Sequence, residues 1–270
     1  MKANKIERGP GRLAVVLTLV VVLALGVGGT LGYGKLRDVY IEQCVIRDMA
    51  TQVTITSGKM VHPSTIAEEF GLKAGANLAE IDFDERRKEI LAKIPNLLSI
   101  RVSRQLPDKV VIAAEERTPI ARMGLRGSRS VTGRVVDTEG MVFVCQRGTQ
   151  TLPTIRESTP PGTQKGQRIK GRTLAALRLI EAAREPELLE LGILEVDTSK
   201  HDFLVATLGN YSRVKILWDG MDEPNANSRA DLLARLTNLR DVIRSRVTPD
   251  TVIWNATIPN RIFADTQGKL

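Results

Sequence analysis

The 270-residue chain has only two cysteines, Cys44 and Cys145, and no CxxC or Cys/His ligand spacing. That argues against a structural zinc site. A Cys44–Cys145 disulfide stays open outside the cytoplasm, because the sequence alone does not bring the two thiols together. Histidine is as scarce. His62 precedes Pro63 at a helix start and His201 follows a polar turn, and both read as surface residues. No G-x-S-x-G or H-E-x-x-H signature occurs, and neither histidine has a local frame for a Ser/His/Asp arrangement. Aromatic residues make up 4%, too few to accompany a basic nucleic-acid surface with stacking rings. The formal charge of +8 is spread from Lys2 to Lys269 without a long basic block, which reads as a solvated surface. Asp137 and Glu139 flank Thr138 before Gly140, where carboxylates serve a turn better than a reaction. The expectation is a chain with no catalytic residues, no cofactor and no metal.

Charge is absent altogether from Leu13 to Tyr33. The run LAVVLTLVVVLALGVGGTLGY has the length of a bilayer-crossing helix. Lys2, Lys5, Arg8 and Arg12 precede it, so the tail is expected in the cytoplasm and the bulk of the chain outside. The run exceeds a signal-peptide core and no A-x-A site follows, which favours an uncleaved anchor. Gly29 to Lys35 imitates the spacing of a phosphate loop, but Leu36 replaces the required Ser/Thr. Gly28 and Gly32 have the spacing of a helix-pairing motif; a homodimer through them is a minority reading.

Beyond a connector at 34–48, Val53 to Thr56 alternates as a strand. Pro63-Ser-Thr opens a helix that Gly71 stops. Asp82 caps a second helix with Glu85 at the capping-box position, and Pro95 breaks it. Strands follow at Ile100–Ser103 and Lys109–Glu115, joined at Leu106-Pro107-Asp108. The order is β-α-α-β-β. After Pro119 come two short strands between Arg134 and Phe143, then loop, then an amphipathic helix at 172–184. Strands are expected near 193–197, 203–208 and 213–218. A long helix at about 228–246 carries Leu232, Leu236, Leu239 and Ile243 on one face and Arg229, Arg235, Arg240 and Arg244 on the other. A last strand spans Thr251 to Ile258. The fold class is α+β, with exposed edges that suit strand addition by a partner.

A charged tail, one apolar span and this module resemble the bacterial cell-division family FtsQ/DivIB. Within the module the matching pieces are Gly75-Ala-Asn-Leu78 with Ile81-Asp82, Ile94-Pro95, Val102-Ser-Arg104 with Leu106-Pro107, and Glu116-Arg-Thr-Pro-Ile-Ala121. They are similar to the family's POTRA (polypeptide-transport-associated) domain. Val136-Asp-Thr-Glu-Gly140, Leu152-Pro153 and the two later helices resemble its β domain. The resemblance implies a tail at 1–12, a transmembrane helix at 13–33, a POTRA domain at 49–117, a β domain at 118–263 and a short tail at 264–270. The β domain is expected as an antiparallel sheet with two main helices.

The resemblance also implies a non-enzymatic scaffold at the division site, in the inner (cytoplasmic) membrane with its bulk extracytoplasmic. Its expected partners are FtsB/DivIC-like and FtsL-like bitopic proteins. The partner strand is expected at Ile253, Trp254, Asn255, Ala256, Thr257 and Ile258. There this chain departs from the family's pattern of an aromatic, an apolar residue and Asp-Leu-Arg. Ile253 stands at the aromatic place, Asn255 replaces Asp and Thr257 replaces Arg. Glu116, Arg117, Thr118 and Pro119 are expected to be the stiff junction between the two domains. The alternative is a POTRA-bearing component of secretion or outer-membrane assembly. That class usually repeats the module or adds a membrane barrel, and neither is visible.

Overall fold

The computed structural model describes residues 39–105, 107–125, 131–145, 147–157, 164–245 and 253–265. The span expected at 13–33 lies outside them. Among the described residues no helix is long and apolar enough to cross a membrane. Two compact units divide the chain. One holds residues up to 56 with 63–87 and 101–113; the other holds 57–62, 88–100 and 114 onward.

In the first unit, Asp48 caps the short helix α1 (Met49–Gln52) by accepting from the Ala50 N–H. Gln52 is buried. Its Oε1 accepts from the N–H groups of Arg47 and Asp48 at 2.6 and 2.7 Å, and its Nε2 donates to Asp108 at 2.8 Å. One amide thus ties the entry of strand β1 (Val53–Thr56) to the turn before β3 (Lys109–Glu116), the strand it pairs with in parallel. Helix α2 (Pro63–Phe70) buries Ile66, Ala67 and Phe70. It ends at Gly71, whose φ of 74° suits a residue without a Cβ. Helix α3 (Phe83–Lys93) begins where Asp82 accepts from the Asp84 and Glu85 N–H groups at 3.0 Å each. Phe83 packs on Phe70 with ring centroids 5.7 Å apart, and Arg104 lies 4.5 Å over Phe83. With β2 (Leu97–Gln105) the sheet order is β1-β3-β2, which is the β-α-α-β-β arrangement expected.

The second unit contains a nine-stranded sheet. Its strands in chain order are β4 (Ala121–Leu125), β5 (Val131–Val136), β6 (Val142–Val144), β7 (Thr154–Glu157), β8 (Glu195–Asp197), β9 (Leu204–Thr207), β10 (Arg213–Ile216), β11 (Ile253–Ala256) and β12 (Phe263–Ala264). In space they run β12-β11-β10-β9-β8-β7-β4-β5-β6. The sheet is mixed, which corrects the expectation of an antiparallel one. β4–β7, β7–β8 and β10–β11 are parallel. For the last two pairs the cause lies in the helices. Helix α4 (Gly171–Ala182) joins β7 to β8, and α5 (Ser228–Ser245) joins β10 to β11. A helical crossover returns the chain in the same direction.

Both helices bury an apolar side in one cluster with the sheet. Leu177, Leu179 and Ile180 from α4 and Leu232, Leu236 and Leu239 from α5 meet Met123, Val136, Ile155, Val196, Val214 and Trp254. Val214 and Ile216 alternate with Arg213 and Lys215, which therefore face the other side of the sheet. A smaller cluster of Val135, Phe143 and Cys145, with Met60 against it, is separate from the main core.

Candidate partner interface

The two edges of the large sheet differ. At the β6 edge, Val142 N–H donates to the Gln167 carbonyl at 2.9 Å, and Gly166 N–H donates to the Val142 carbonyl at 2.8 Å. Asn96 Nδ2 adds a bond to the Val144 carbonyl at 2.8 Å. That edge is covered. The sheet order ends at β12 on the other side, where no further strand follows among the described residues.

This end of the sheet differs from the expected last strand. β11 is not terminal. Asn260, at φ 55°, helps reverse the chain after Pro259, with Arg261 N–H bonded to the Ile258 carbonyl at 3.3 Å. β12 then pairs antiparallel with β11, Trp254 opposite Ala264 and Asn255 opposite Phe263. Ile253, Trp254 and Ala256 are buried. Trp254 belongs to the main core rather than to the surface. Asn255 Oδ1 accepts from the Thr257 N–H at 3.0 Å and from its hydroxyl at 2.8 Å, which closes the turn locally. Of the six expected contact residues only Ile258 is well exposed, at 45%, and Phe263 beyond them is 42% exposed. Sequence reading missed Phe263 because a two-residue strand is too short to show alternation.

Arg235 lies behind this edge. The expected arginine face of α5 is not a free basic surface. Arg235 is buried, bonded through Nε to Asp231 at 2.9 Å and through Nη1 to the Ala256 carbonyl at 3.2 Å. Arg244 and Arg229 pair with Glu190 and Glu185. Arg240 donates to the Glu187 carbonyl and to Asp241. A cleft of about 250 Å³ lies beside them, lined by Glu190, Leu191, Leu208, Asn210, Arg240, Ile243 and Arg244.

Of the four junction residues, Glu116 and Arg117 carry specific contacts inside the second unit. The Glu116 carboxylate accepts from the backbone N–H groups of Lys59, Met60 and Val61 at 2.7–3.0 Å. The Arg117 N–H donates to the Asn96 carbonyl at 2.8 Å. Its guanidinium is buried and pairs with Asp137 at 2.5 Å and Glu139 at 3.0 Å. Burial alone would push Arg117 down; its hydrogen bonds to Asp137 and Glu139, with the attraction of their charges, outweigh it and raise the guanidinium above its ordinary value. The Arg117 hydrogen bond holds the Glu139 carboxyl below the usual range, against the opposing effect of burial and with help from Arg168. Asp137 Oδ1 also takes the Met141 N–H at 2.8 Å. Both carboxylates are therefore committed to Arg117 and the turn. Thr118 and Pro119 continue the chain into β4 without a regular element.

Cys44 and Cys145 are both free and buried, one in each unit. His201 is exposed beside Asp202. Among the described residues no group of three His, Cys, Asp or Glu is placed to hold a metal ion.

Residues 50–117 match the POTRA domain, FtsQ-type. The chain is also similar to the cell division protein FtsQ of Streptomyces bingchenggensis (strain BCW-1). The two are 25% identical over 258 residues, which covers 93% of this chain and 88% of that protein. With an FtsQ-type POTRA module and a relative matched over nearly its whole length, the chain is similar to the FtsQ/DivIB family of cell-division proteins, and both findings support that family.

Proposed function

We propose that this protein is a non-enzymatic scaffold of the bacterial division machinery, held in the inner membrane by residues 13–33 with its bulk outside the cytoplasm. It works by contact with small bitopic division proteins of the FtsB/DivIC and FtsL type. A strand from such a partner adds beside β12, with Ile258 and Phe263 as the exposed apolar side chains. Ile253, Trp254, Asn255, Ala256 and Thr257 form the strand and turn that support it. Glu116 to Pro119 serve as the passage from the POTRA module into the following domain.

One observation carries the reading. The sheet covers its β6 edge and leaves β12 as its other end, with an exposed phenylalanine on it. Edge strands of this kind are pairing templates unless they are blocked. Depletion of the protein is expected to give long, undivided cells that a wild-type copy rescues. Normal septation in its absence would overturn the proposal.

A further inference from the structure

Apolar burial does not hold β12 in place. Phe263 is 42% exposed, and only two residue pairs join the strand to β11. Beyond them, the Asp265 N–H donates to the Ile253 carbonyl at 2.9 Å. So short a strand is marginal on its own.

A further tie comes from two strands away. Lys215 on β10 lies opposite Asn255 on β11, and Asn255 lies opposite Phe263 on β12. These three side chains share one face of the sheet, and Asp265, two residues after Phe263, is placed toward the same face. The Lys215 ammonium crosses the width of β11, about two strand spacings of ~4.8 Å, and meets Asp265 Oδ2 at 2.5 Å. Their side chains are 12% and 15% exposed, so salt screens the pair weakly. On the β9 side, the Phe203 ring lies 5.8 Å from the same ammonium and adds a cation–π contact.

We infer that Lys215 and Asp265 are positioning residues for the partner edge. Their ion pair orders β12, and so decides whether an incoming strand meets a formed edge or must order one as it binds. Ordering at the moment of binding lowers affinity. The inference rests on the strand-addition reading above, and it assigns a role to two residues outside the expected strand.

The test uses the full-length chain with two readouts. Hydrogen exchange at the Asp265 amide, which donates to the Ile253 carbonyl, reports β12 order without any partner. A photo-cross-linking residue at position 263, in dividing cells, reports strand capture. Lys215→Ala and Asp265→Asn are each expected to speed exchange at β12 by about tenfold or more. They should cut the cross-link severalfold while the main unfolding transition stays in place. The charge-swapped pair Lys215→Asp with Asp265→Lys should recover both. Unchanged exchange in both single variants would overturn the inference, as would a folded double swap that recovers neither readout. A wild-type chain that gives no cross-link at 263 would remove the strand-addition reading instead, and exchange alone would then decide whether the ion pair orders β12.

Discussion

Arg235 Nη1 on α5 donates to the carbonyl of Ala256 at the end of β11, 3.2 Å away and 21 residues on in the chain. Its Nε holds Asp231, whose Oδ2 also takes the Asp219 N–H at 2.9 Å. One guanidinium thus links the loop before the helix, the helix and the strand behind the candidate edge. Arg235→Ala leaves Asp231 without its cation and a buried carbonyl without its donor. The expected loss is about 2–4 kcal/mol, read as a lower denaturant midpoint with an unchanged slope.

Gly58 faces the Glu116 carboxylate so closely that an added Cβ would lie 2.2 Å from Oε2. A free glutamate would swing aside. This one is held by three backbone N–H groups, so moving it breaks those bonds. Gly58→Ala and Glu116→Gln are each expected to cost about 1–3 kcal/mol. Both act on the same nest, so the double variant should cost clearly less than the two single losses together. Additive losses in chemical denaturation would show that the two positions act independently.

Acid should loosen the contact between Arg117 and Glu139. Its carboxyl in the folded protein titrates below the ordinary value, chiefly through the Arg117 hydrogen bond. A depressed carboxylate contributes stability that is complete above its unfolded pKa, about 4.3, and is lost as pH falls through the folded value. Glu139→Gln is therefore expected to be less stable than wild type at pH 7. The gap should narrow progressively below about pH 4.3. Denaturant midpoints measured from pH 7 to pH 3 provide the check.

Proline at Ala256, the natural substitution for testing strand addition at β11, would break the fold rather than test capture. Ala256 is fully buried, in register with Ile216 on β10, and its carbonyl holds Arg235. Phe263 is the better probe because half-exposed positions tolerate change. Phe263→Asp is expected to lower partner affinity by tenfold or more, about 1.4 kcal/mol, with little shift in the melting temperature. Affinity for the co-purified partner measured on both chains decides it.

The helices were legible because their signals are local. Pro63 and Gly71 bracket α2, Asp82 caps α3, and the leucines of α5 recur at helical spacing and are buried as expected. β4 was not legible. Arg122 and Gly124 interrupt its apolar pattern, yet both have tertiary reasons. Arg122 Nε donates to the Leu152 carbonyl at 3.0 Å, and Gly124 leaves room for Arg156, whose Nη1 would lie 2.8 Å from an added Cβ. Arg235 misled for a related cause. Its position on the helix is polar in sequence, and only the return of β11 beneath it turns that position inward. At the candidate edge, the sequence marks β11 through its apolar residues. β12 exists only because β11 is there to pair with it.

The two buried thiols have a practical consequence. Each compact unit carries one cysteine and neither is bonded, so the native chain holds one concealed label site per unit. Brief exposure to a thiol reagent, followed by peptide mass analysis, times the opening of each unit in the same sample. The two clocks need no engineered residue, and they run in the intact protein.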